Sequence, residues 1–281
     1  MKICVSSYSF TQLLQAGLHT QFSIISLAAS LGFDGIEFTD LTPPEGTTEE
    51  KYALLLKAEA ARCGLSVISH TVAANLLSPD PETEIKRLYH KIDIAQLLGA
   101  PLLRHDAYFS FPENAPKDAS FEYYLPQITK LFRQITDYAQ SKGIKTCTEN
   151  HGFICQDPNR VEAIIKGVAS PNFGWLVDIG NFLCADCAPL PSVKTAAPYA
   201  FHVHVKDFYL WDTAQEGTFI SRGGKYLKGA TLGEGIVPVQ DCLQTLFSAG
   251  YNSFVSVEFE GSEPVIPALE KSIKLLRTIK L

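Results

Sequence analysis

Long apolar runs are absent from this sequence, because none approaches the ~20 consecutive residues that a membrane-spanning helix requires. Its first residues, MKICVSSYSF, also lack the basic, apolar and small-residue pattern of a secretory signal peptide. We therefore expect a cytoplasmic protein that does not have a membrane as partner.

Cysteine patterns that form disulfide frameworks or zinc sites are lacking as well. Seven cysteines are scattered over 281 residues, and the one C-x-x-C pair, Cys184 and Cys187, has no second pair to complete a zinc site. An odd, scattered set in an intracellular chain is typical of unpaired thiols. We interpret these cysteines as packing residues.

Positive charge is scarcer than negative charge. The chain has 24 lysines and arginines against 30 aspartates and glutamates, a formal net charge of -6. Binding to a phosphate backbone needs a basic face, so nucleic acid is not an expected partner. Hydrophobic residues at 46% and charged residues at 19% are typical of a globular protein with a large core.

Short apolar runs alternate with helical patterns along the whole chain. Strand-like runs cover residues 3–8, 35–38, 65–70, 101–105, 144–149, 173–178, 201–206 and 254–258, and helical patterns cover about 22–31, 48–63, 82–98, 121–141, 159–166, 191–198, 238–249 and 264–279. This alternation predicts an α/β fold, a (β/α)8 TIM barrel that forms a single domain over residues 1–281. An open doubly wound sheet is the alternative, but no G-x-G-x-x-G follows the first strand.

Four of the predicted strands end in a residue that can bind a hard metal ion. These residues are Glu149, Asp178, His204 and Glu258, in the fifth to eighth strands. One acidic residue at a strand end is usually a helix cap or a solvated charge, but four at the same end of a barrel would converge on one point. Carboxylates with one imidazole suit Mn²⁺, Mg²⁺ or Co²⁺ and tolerate Zn²⁺.

Six short motifs stand around these residues and elsewhere in the chain: ENHG at Glu149, D-x-G-N from Asp178 to Asn181, HVHVKD around His204, LGEG at Leu232 to Gly235, SVEFEG around Glu258 and GFDGIEF near the second strand. Together they resemble the motifs of the sugar phosphate isomerase/epimerase family, part of the xylose-isomerase-like barrel superfamily. The resemblance implies one divalent metal ion held by Glu149, Asp178, His204 and Glu258. Mn²⁺ is the ion that we expect before Mg²⁺, Co²⁺ or Zn²⁺. It also implies a small carbohydrate substrate, and relatives of this kind are often homo-oligomers.

In similar ketose epimerases and isomerases, residues matching Glu149 and Glu258 remove and return a proton through an enediolate. Two carboxylates on opposite faces of a sugar would permit epimerisation, whereas one working alone would favour isomerisation. A dehydratase begins with the same proton abstraction, and a sugar-binding barrel without turnover is a further alternative. The sequence leaves these possibilities open.

Further residues are candidates for substrate contacts. His70 and His105 end the third and fourth strands, and Glu37 lies on the second strand. For each of them a hydrogen-bonded core residue is the competing interpretation. Asn181 is a fourth candidate, at the position where endonuclease IV relatives have a histidine, and no D-x-H follows His204. We therefore do not expect a three-zinc DNA-repair enzyme.

Residues 207–236 form the longest predicted loop, which is long enough to cover the site or to carry a small hairpin. Its segment SRGGKYLKGA places Arg222, Lys225 and Lys228 among glycines. Backbone amides and cations there could hold an anion, although a flexible solvated loop explains the composition somewhat better.

Overall fold

Eleven strands are present in the computed structural model, which describes residues 1–281. They are β1 Lys2–Ser6, β2 Gly35–Phe38, β3 Ser66–Val72, β4 Leu102–His105, β5 Lys145–Glu149, β6 Phe173–Asp178, β7 Ala200–Val205, β8 Asp207–Trp211, β9 Phe219–Ile220, β10 Tyr226–Ala230 and β11 Phe254–Val257. All except β8 to β10 close into one parallel barrel, in which β1 pairs with β11. The predicted (β/α)8 TIM barrel is therefore confirmed.

Nine helices accompany the strands. They are α1 Thr11–Gln15, α2 Ser23–Ser30, α3 Glu49–Arg62, α4 Pro81–Leu98, α5 Phe121–Ser141, α6 Pro158–Val168, α7 Pro189–Ala196, α8 Val239–Ser248 and α9 Val265–Thr278. Thr48 caps α3, since its hydroxyl accepts a hydrogen bond from the Lys51 amide. None of the helices combines the length and apolar character that crossing a membrane would require.

The first strand is shorter than its apolar run predicted. It ends at Ser6, whose hydroxyl accepts a hydrogen bond from the Tyr8 amide and begins a 3-10 turn over Ser7–Phe10. The short helix α1 follows directly and was not predicted, because its five residues show too little periodicity to be recognised.

Strand alternation decides which side chains enter the barrel. Inside it, Leu102 of β4, Cys147 of β5 and Leu176 of β6 form a small buried cluster that is separate from the main core. The residues two positions further along these strands, at 104, 149 and 178, have the same parity and lie one layer higher. The barrel interior therefore changes from apolar to charged toward the carboxyl ends of its strands.

The segment predicted as a long loop contains a three-stranded antiparallel sheet. Strand β10 lies between β8 and β9, and Trp211 of β8 is opposite Tyr226 of β10. This sheet begins immediately beyond β7, with Lys206 as the sole intervening residue. Arg222, a candidate for an anion site, instead donates hydrogen bonds to the carbonyl oxygens of Phe153 and Ile154. The hairpin alternative was closer to the structure than the flexible loop.

Asp207 ties this inserted sheet to the barrel. Its carboxylate accepts hydrogen bonds from the amides of Phe208, Gly233, Gly235 and Val237, and the side chain is buried. Gly235 lies so close that a Cβ atom there would come within 2.2 Å of Asp207 Oδ1. The segment 233–237 is therefore held by one side chain.

Changing Asp207 to alanine should destabilise the protein by about 2–4 kcal/mol, because buried amides would lose their acceptor. Chemical denaturation measures the loss, and hydrogen exchange should become faster at the amides of residues 233–237. The exposed Asp212, at the end of β8, makes no hydrogen bond through its side chain, and Asp212→Ala serves as the control. Equal stability of the two variants would contradict the role of Asp207.

Candidate metal centre and active site

The four predicted metal ligands come together at the carboxyl ends of β5, β6, β7 and β11. One ligand atom from each of Glu149, Asp178, His204 and Glu258 lies within 4.8 Å of the others. His204 Nδ1 is 3.5 Å from Glu258 Oε2, 3.8 Å from Glu149 Oε1 and 3.9 Å from Asp178 Oδ2. The distances are those of side chains that surround a common point.

The donor atoms of this cluster fit a divalent cation. Asp178 Oδ2 and His204 Nδ1 are buried yet make no hydrogen bond, although buried polar atoms normally have a partner. The other oxygen of Asp178, Oδ1, accepts hydrogen bonds from the amides of Gly180 and Asn181, which orients the carboxylate. Three carboxylates and one imidazole are a ligand set that Mn²⁺, Mg²⁺ and Zn²⁺ accept.

Glu37 lies beneath the cluster and contacts His204. Its Oε1 is 2.7 Å from His204 Nε2, and its Oε2 is 2.8 Å from His202 Nε2. Burial alone would raise the pKa of Glu37, but the two imidazoles outweigh burial and hold that pKa well below its usual range. The negative charge of an ionised Glu37 favours a proton on the adjacent Nε2 of His204, so that Nδ1 is the ring nitrogen available to an ion in the cluster. Glu37, a candidate for substrate contact, is instead a buried residue that contacts the candidate metal ligand His204.

Asn181 also acts on a ligand. Its side-chain amide donates a 2.9 Å hydrogen bond to Glu149 Oε1, and it is buried. This contact orients the Glu149 oxygen that faces the cluster.

His70 and His105 do not line the cavity above the cluster. Both are completely buried, and His105 stacks on Phe132 of α5 with a centroid distance of 4.8 Å. Burial lowers the pKa of each to about 4, so both imidazoles are neutral. Their neighbours Thr71 and Arg104 line the cavity instead, because successive strand residues face opposite sides. The expected substrate contacts from these two histidines are therefore not supported.

Two cations that we had not predicted as site residues enter the cluster. Arg104 Nη2 lies 2.7 Å from Glu149 Oε2, and Lys206 Nζ lies 2.5 Å from Glu258 Oε2 and 3.3 Å from Asp178 Oδ2. Each glutamate thus has its own cationic partner. The alternation of HVHVK already indicated that Lys206 shares a face with His204, and Leu102 has the same relation to Arg104.

A cavity of about 290 Å³ opens above the cluster and is lined mostly by polar side chains. His151 lies at its edge, where Nδ1 is 2.8 Å from Asp106 Oδ1, and 41% of the side chain is exposed. Asp106 in turn is 2.7 Å from Arg104. The cavity therefore offers hydrogen-bonding groups to a small polar ligand directly above the metal ligands.

Metal affinity should be about tenfold weaker at pH 6 than at pH 8. Burial, with Glu149 and Glu258 nearby, raises the pKa of Asp178 to about 7 against the opposing effect of Lys206. An ion must therefore displace a proton from Asp178 below pH 7. It must also displace one from His204, whose pKa Glu37 and Glu258 raise well above its usual value against the effect of burial, so the tenfold difference is a minimum. Competition with a chelating dye at both pH values measures the difference, and unfolding temperatures confirm an intact fold. An affinity that is constant from pH 6 to pH 8 would contradict this expectation.

Solved structures with the same fold come from several organisms. A xylose isomerase-like TIM barrel protein from Mycobacterium smegmatis in complex with magnesium has a TM-score of 0.74 and 17% identity, with 99% of this chain and 96% of that chain covered. The 3-keto-D-glucoside 4-epimerase YcjR from E. coli has a TM-score of 0.74 and 15% identity, with 99% of each chain covered. The probable 3-DHS dehydratase AsbF from Bacillus anthracis has a TM-score of 0.73 and 21% identity, with both chains covered completely.

At these identities the likeness shows the fold alone. No curated protein has a matching sequence. The sequence does match one family model over residues 25–279, which is nearly its whole length. The chain therefore belongs to the xylose isomerase-like TIM barrel family.

Proposed function

We propose that this protein is a metal-dependent isomerase or epimerase of a sugar, sugar phosphate or polyol derivative. The observation that carries the proposal is a pair of glutamates, Glu149 and Glu258, in one largely buried ligand cluster beneath a polar cavity. Family membership supports a carbohydrate substrate, and one structural neighbour is a keto-glucoside epimerase.

Glu258 is the base that the geometry favours. Its Oε1 makes no hydrogen bond, and the side chain lines the cavity. Burial alone would raise the pKa of Glu258, but Lys206 and His204 outweigh burial and hold the pKa well below its usual range. Glu258 is therefore ionised at neutral pH and can accept a proton from a carbon beside a carbonyl group.

The charge left on the substrate oxygen after proton removal needs an electrophile. A divalent ion held by Glu149, Asp178, His204 and Glu258 would supply Lewis-acid stabilisation of that charge, and Mn²⁺ is the ion that we expect first. Elemental analysis after loading and dialysis should find one ion per chain. The cations Arg104 and Lys206 keep the two glutamates oriented through their ion pairs.

The ion pairs make the two glutamates unequal. Glu149 has one oxygen on Asn181 and the other on Arg104, whereas Glu258 keeps Oε1 without a partner. One unpartnered carboxylate favours isomerisation, in which the same base removes and returns the proton. Epimerisation by a second base would require the pair between Arg104 and Glu149 to open.

A dehydratase is the second candidate. Lys206 and the partly exposed His151 line the cavity and could protonate a leaving hydroxyl group after the same initial proton removal. The structural likeness to a probable dehydratase is consistent with this reading.

Heavy-water incubation of the Mn²⁺-loaded protein with keto sugars, their phosphates and keto polyols separates these functions. Deuterium at a substrate carbon supports the isomerase if NMR also shows that the carbonyl group has moved to the neighbouring carbon. It supports the epimerase if NMR shows an inverted stereocentre. Deuterium with loss of a hydroxyl group supports the dehydratase. Tight binding of many sugars without exchange would contradict both and indicate a sugar-binding barrel.

A further inference from the structure

We propose that the active site continues into a second, apolar subsite, and that the substrate is a glycoside with an aromatic ring as aglycone. The sugar half of this inference rests on the proposed function. The aglycone half rests on the side chains that form the rim of the barrel.

A second cavity, of about 300 Å³, adjoins the first. Phe109, His151, Lys206 and Glu260 line both cavities, so a ligand above the metal ligands can extend from one into the other. A free monosaccharide needs the first cavity alone. The second provides room for a further ring attached to the sugar.

Large apolar side chains form the walls of this second cavity. They are Phe109, Phe153, Phe219 and Ile220, with 40%, 57%, 40% and 60% of their surfaces exposed. An exposed apolar patch of this kind beside polar groups usually marks a binding site. Three aromatic rings around one cavity favour a planar apolar ligand, because aromatic rings stack on one another or meet edge to face.

The backbone holds Phe153 at the rim in a costly conformation. Its φ is 57°, a region that bulky residues rarely adopt. Arg222 of the inserted sheet donates a 2.9 Å hydrogen bond to the Phe153 carbonyl oxygen, and the Phe153 amide donates to Gln156 Oε1. Contacts from two segments thus keep an apolar ring exposed beside the cavity.

Gly152 allows Phe109 to approach this segment. A Cβ atom at position 152 would lie 2.8 Å from Phe109 Cδ1, and the φ of Gly152 is 79°. The Phe109 ring also meets the His151 imidazole edge to face at 5.8 Å. Phe109 is therefore held at the junction between the two cavities.

Three polar residues of the second cavity are already engaged, which leaves its apolar walls as the main contact surface and argues for an aromatic ring over a second sugar. The Asn181 side-chain amide donates a hydrogen bond to Glu149, and Lys206 forms an ion pair with Glu258. Gln156 Oε1 accepts a hydrogen bond from the Phe153 amide. Hydroxyl groups of a second sugar would find few partners there, and an unpaired buried hydroxyl is costly. An aryl aglycone makes no such demand.

Calorimetric titration of phenyl and methyl β-glucopyranoside into the Mn²⁺-loaded protein tests the subsite. We expect the phenyl glycoside to bind about tenfold more tightly, because its ring is buried against the aromatic walls. The double variant Phe153→Ala with Phe219→Ala should lose most of this ratio while the methyl glycoside binds as before. Tyr123 on α5 is 57% exposed and lines neither cavity, so Tyr123→Ala should keep the full ratio.

Equal affinities of the two glycosides for the wild type, or an unchanged ratio in the double variant, would overturn the subsite. Light scattering could also show that the double variant changes its oligomeric state while the affinity ratio is unaltered. That result would overturn the subsite as well, because it would mean that a second copy of the chain covers the rim. If neither glycoside binds, benzyl alcohol reports on the cavity by NMR saturation transfer. Saturation transfer that occurs with the wild type and is lost in the double variant supports the subsite. Absence of transfer with the wild type overturns it.

The subsite and the proposed function fail in different ways. Absence of deuterium exchange with every keto sugar, alongside an intact phenyl preference, would refute the proposed reaction and leave the subsite. Exchange with simple keto sugars, alongside equal glycoside affinities, would refute the subsite and leave the reaction.

Discussion

Changing Glu258 to glutamine is expected to slow proton exchange between substrate and solvent by about 10²–10⁴-fold. Glutamine has nearly the same shape but cannot accept the proton that the free Oε1 of Glu258 is placed to take. Its amide oxygen can still act as a neutral ligand, so part of the metal affinity should survive. The rate of deuterium incorporation, measured by NMR at saturating metal, isolates the loss of the base from the loss of the ion.

Glu260 provides the matched control for Glu258. Its Oε2 is 3.1 Å from the same Lys206 ammonium, but it is outside the four-ligand cluster. Glu260→Gln removes one carboxylate charge from the same cation but leaves the four-ligand cluster complete, so it should slow exchange far less than Glu258→Gln does. A Glu258→Gln variant that exchanges protons at the wild-type rate would show that the base is another residue.

Changing Glu37 to glutamine is expected to weaken metal binding by about 10–100-fold. Glu37 touches no atom of the ligand cluster except His204, so the effect must pass through that imidazole. A glutamine can present its amide nitrogen to His204 Nε2, which would then accept a hydrogen bond and move the proton to Nδ1. A protonated Nδ1 cannot coordinate an ion.

The protonation of His204 gives a readout beyond affinity. Burial alone would lower the pKa of His204, but Glu37 and Glu258 outweigh burial and raise that pKa well above its usual value. Nitrogen-15 NMR of the metal-free protein at neutral pH should therefore show both ring nitrogens protonated in the wild type and a lower pKa in Glu37→Gln. The control is His202→Gln, which removes the other partner of Glu37 but keeps the contact between Glu37 and His204. It should weaken metal binding much less. Equal affinity of Glu37→Gln and wild type, with both proteins folded, would refute this role.

The strand ends were within reach of the sequence because they depend on local pattern. Each apolar run stops where a carboxylate or imidazole appears, and the carboxyl ends of parallel strands in a barrel lie on one face. The four candidate ligands therefore converge as predicted. The uncertain point was parity, and His70 and His105 show how one residue along a strand moves a side chain from the cavity to the helical layer.

Sequence by itself thus determined the barrel, its element order and the four side chains that meet at one end of it. The tertiary structure alone decided what surrounds them. Glu37 and His202 are 165 positions apart and meet only because β2 and β7 face each other across a closed barrel. The same holds for the partners of Glu149 and Glu258, and for the aromatic rim assembled from two loops and strand β9. Local periodicity specifies the direction of a side chain, whereas its partners depend on which distant segments the closed sheet brings together.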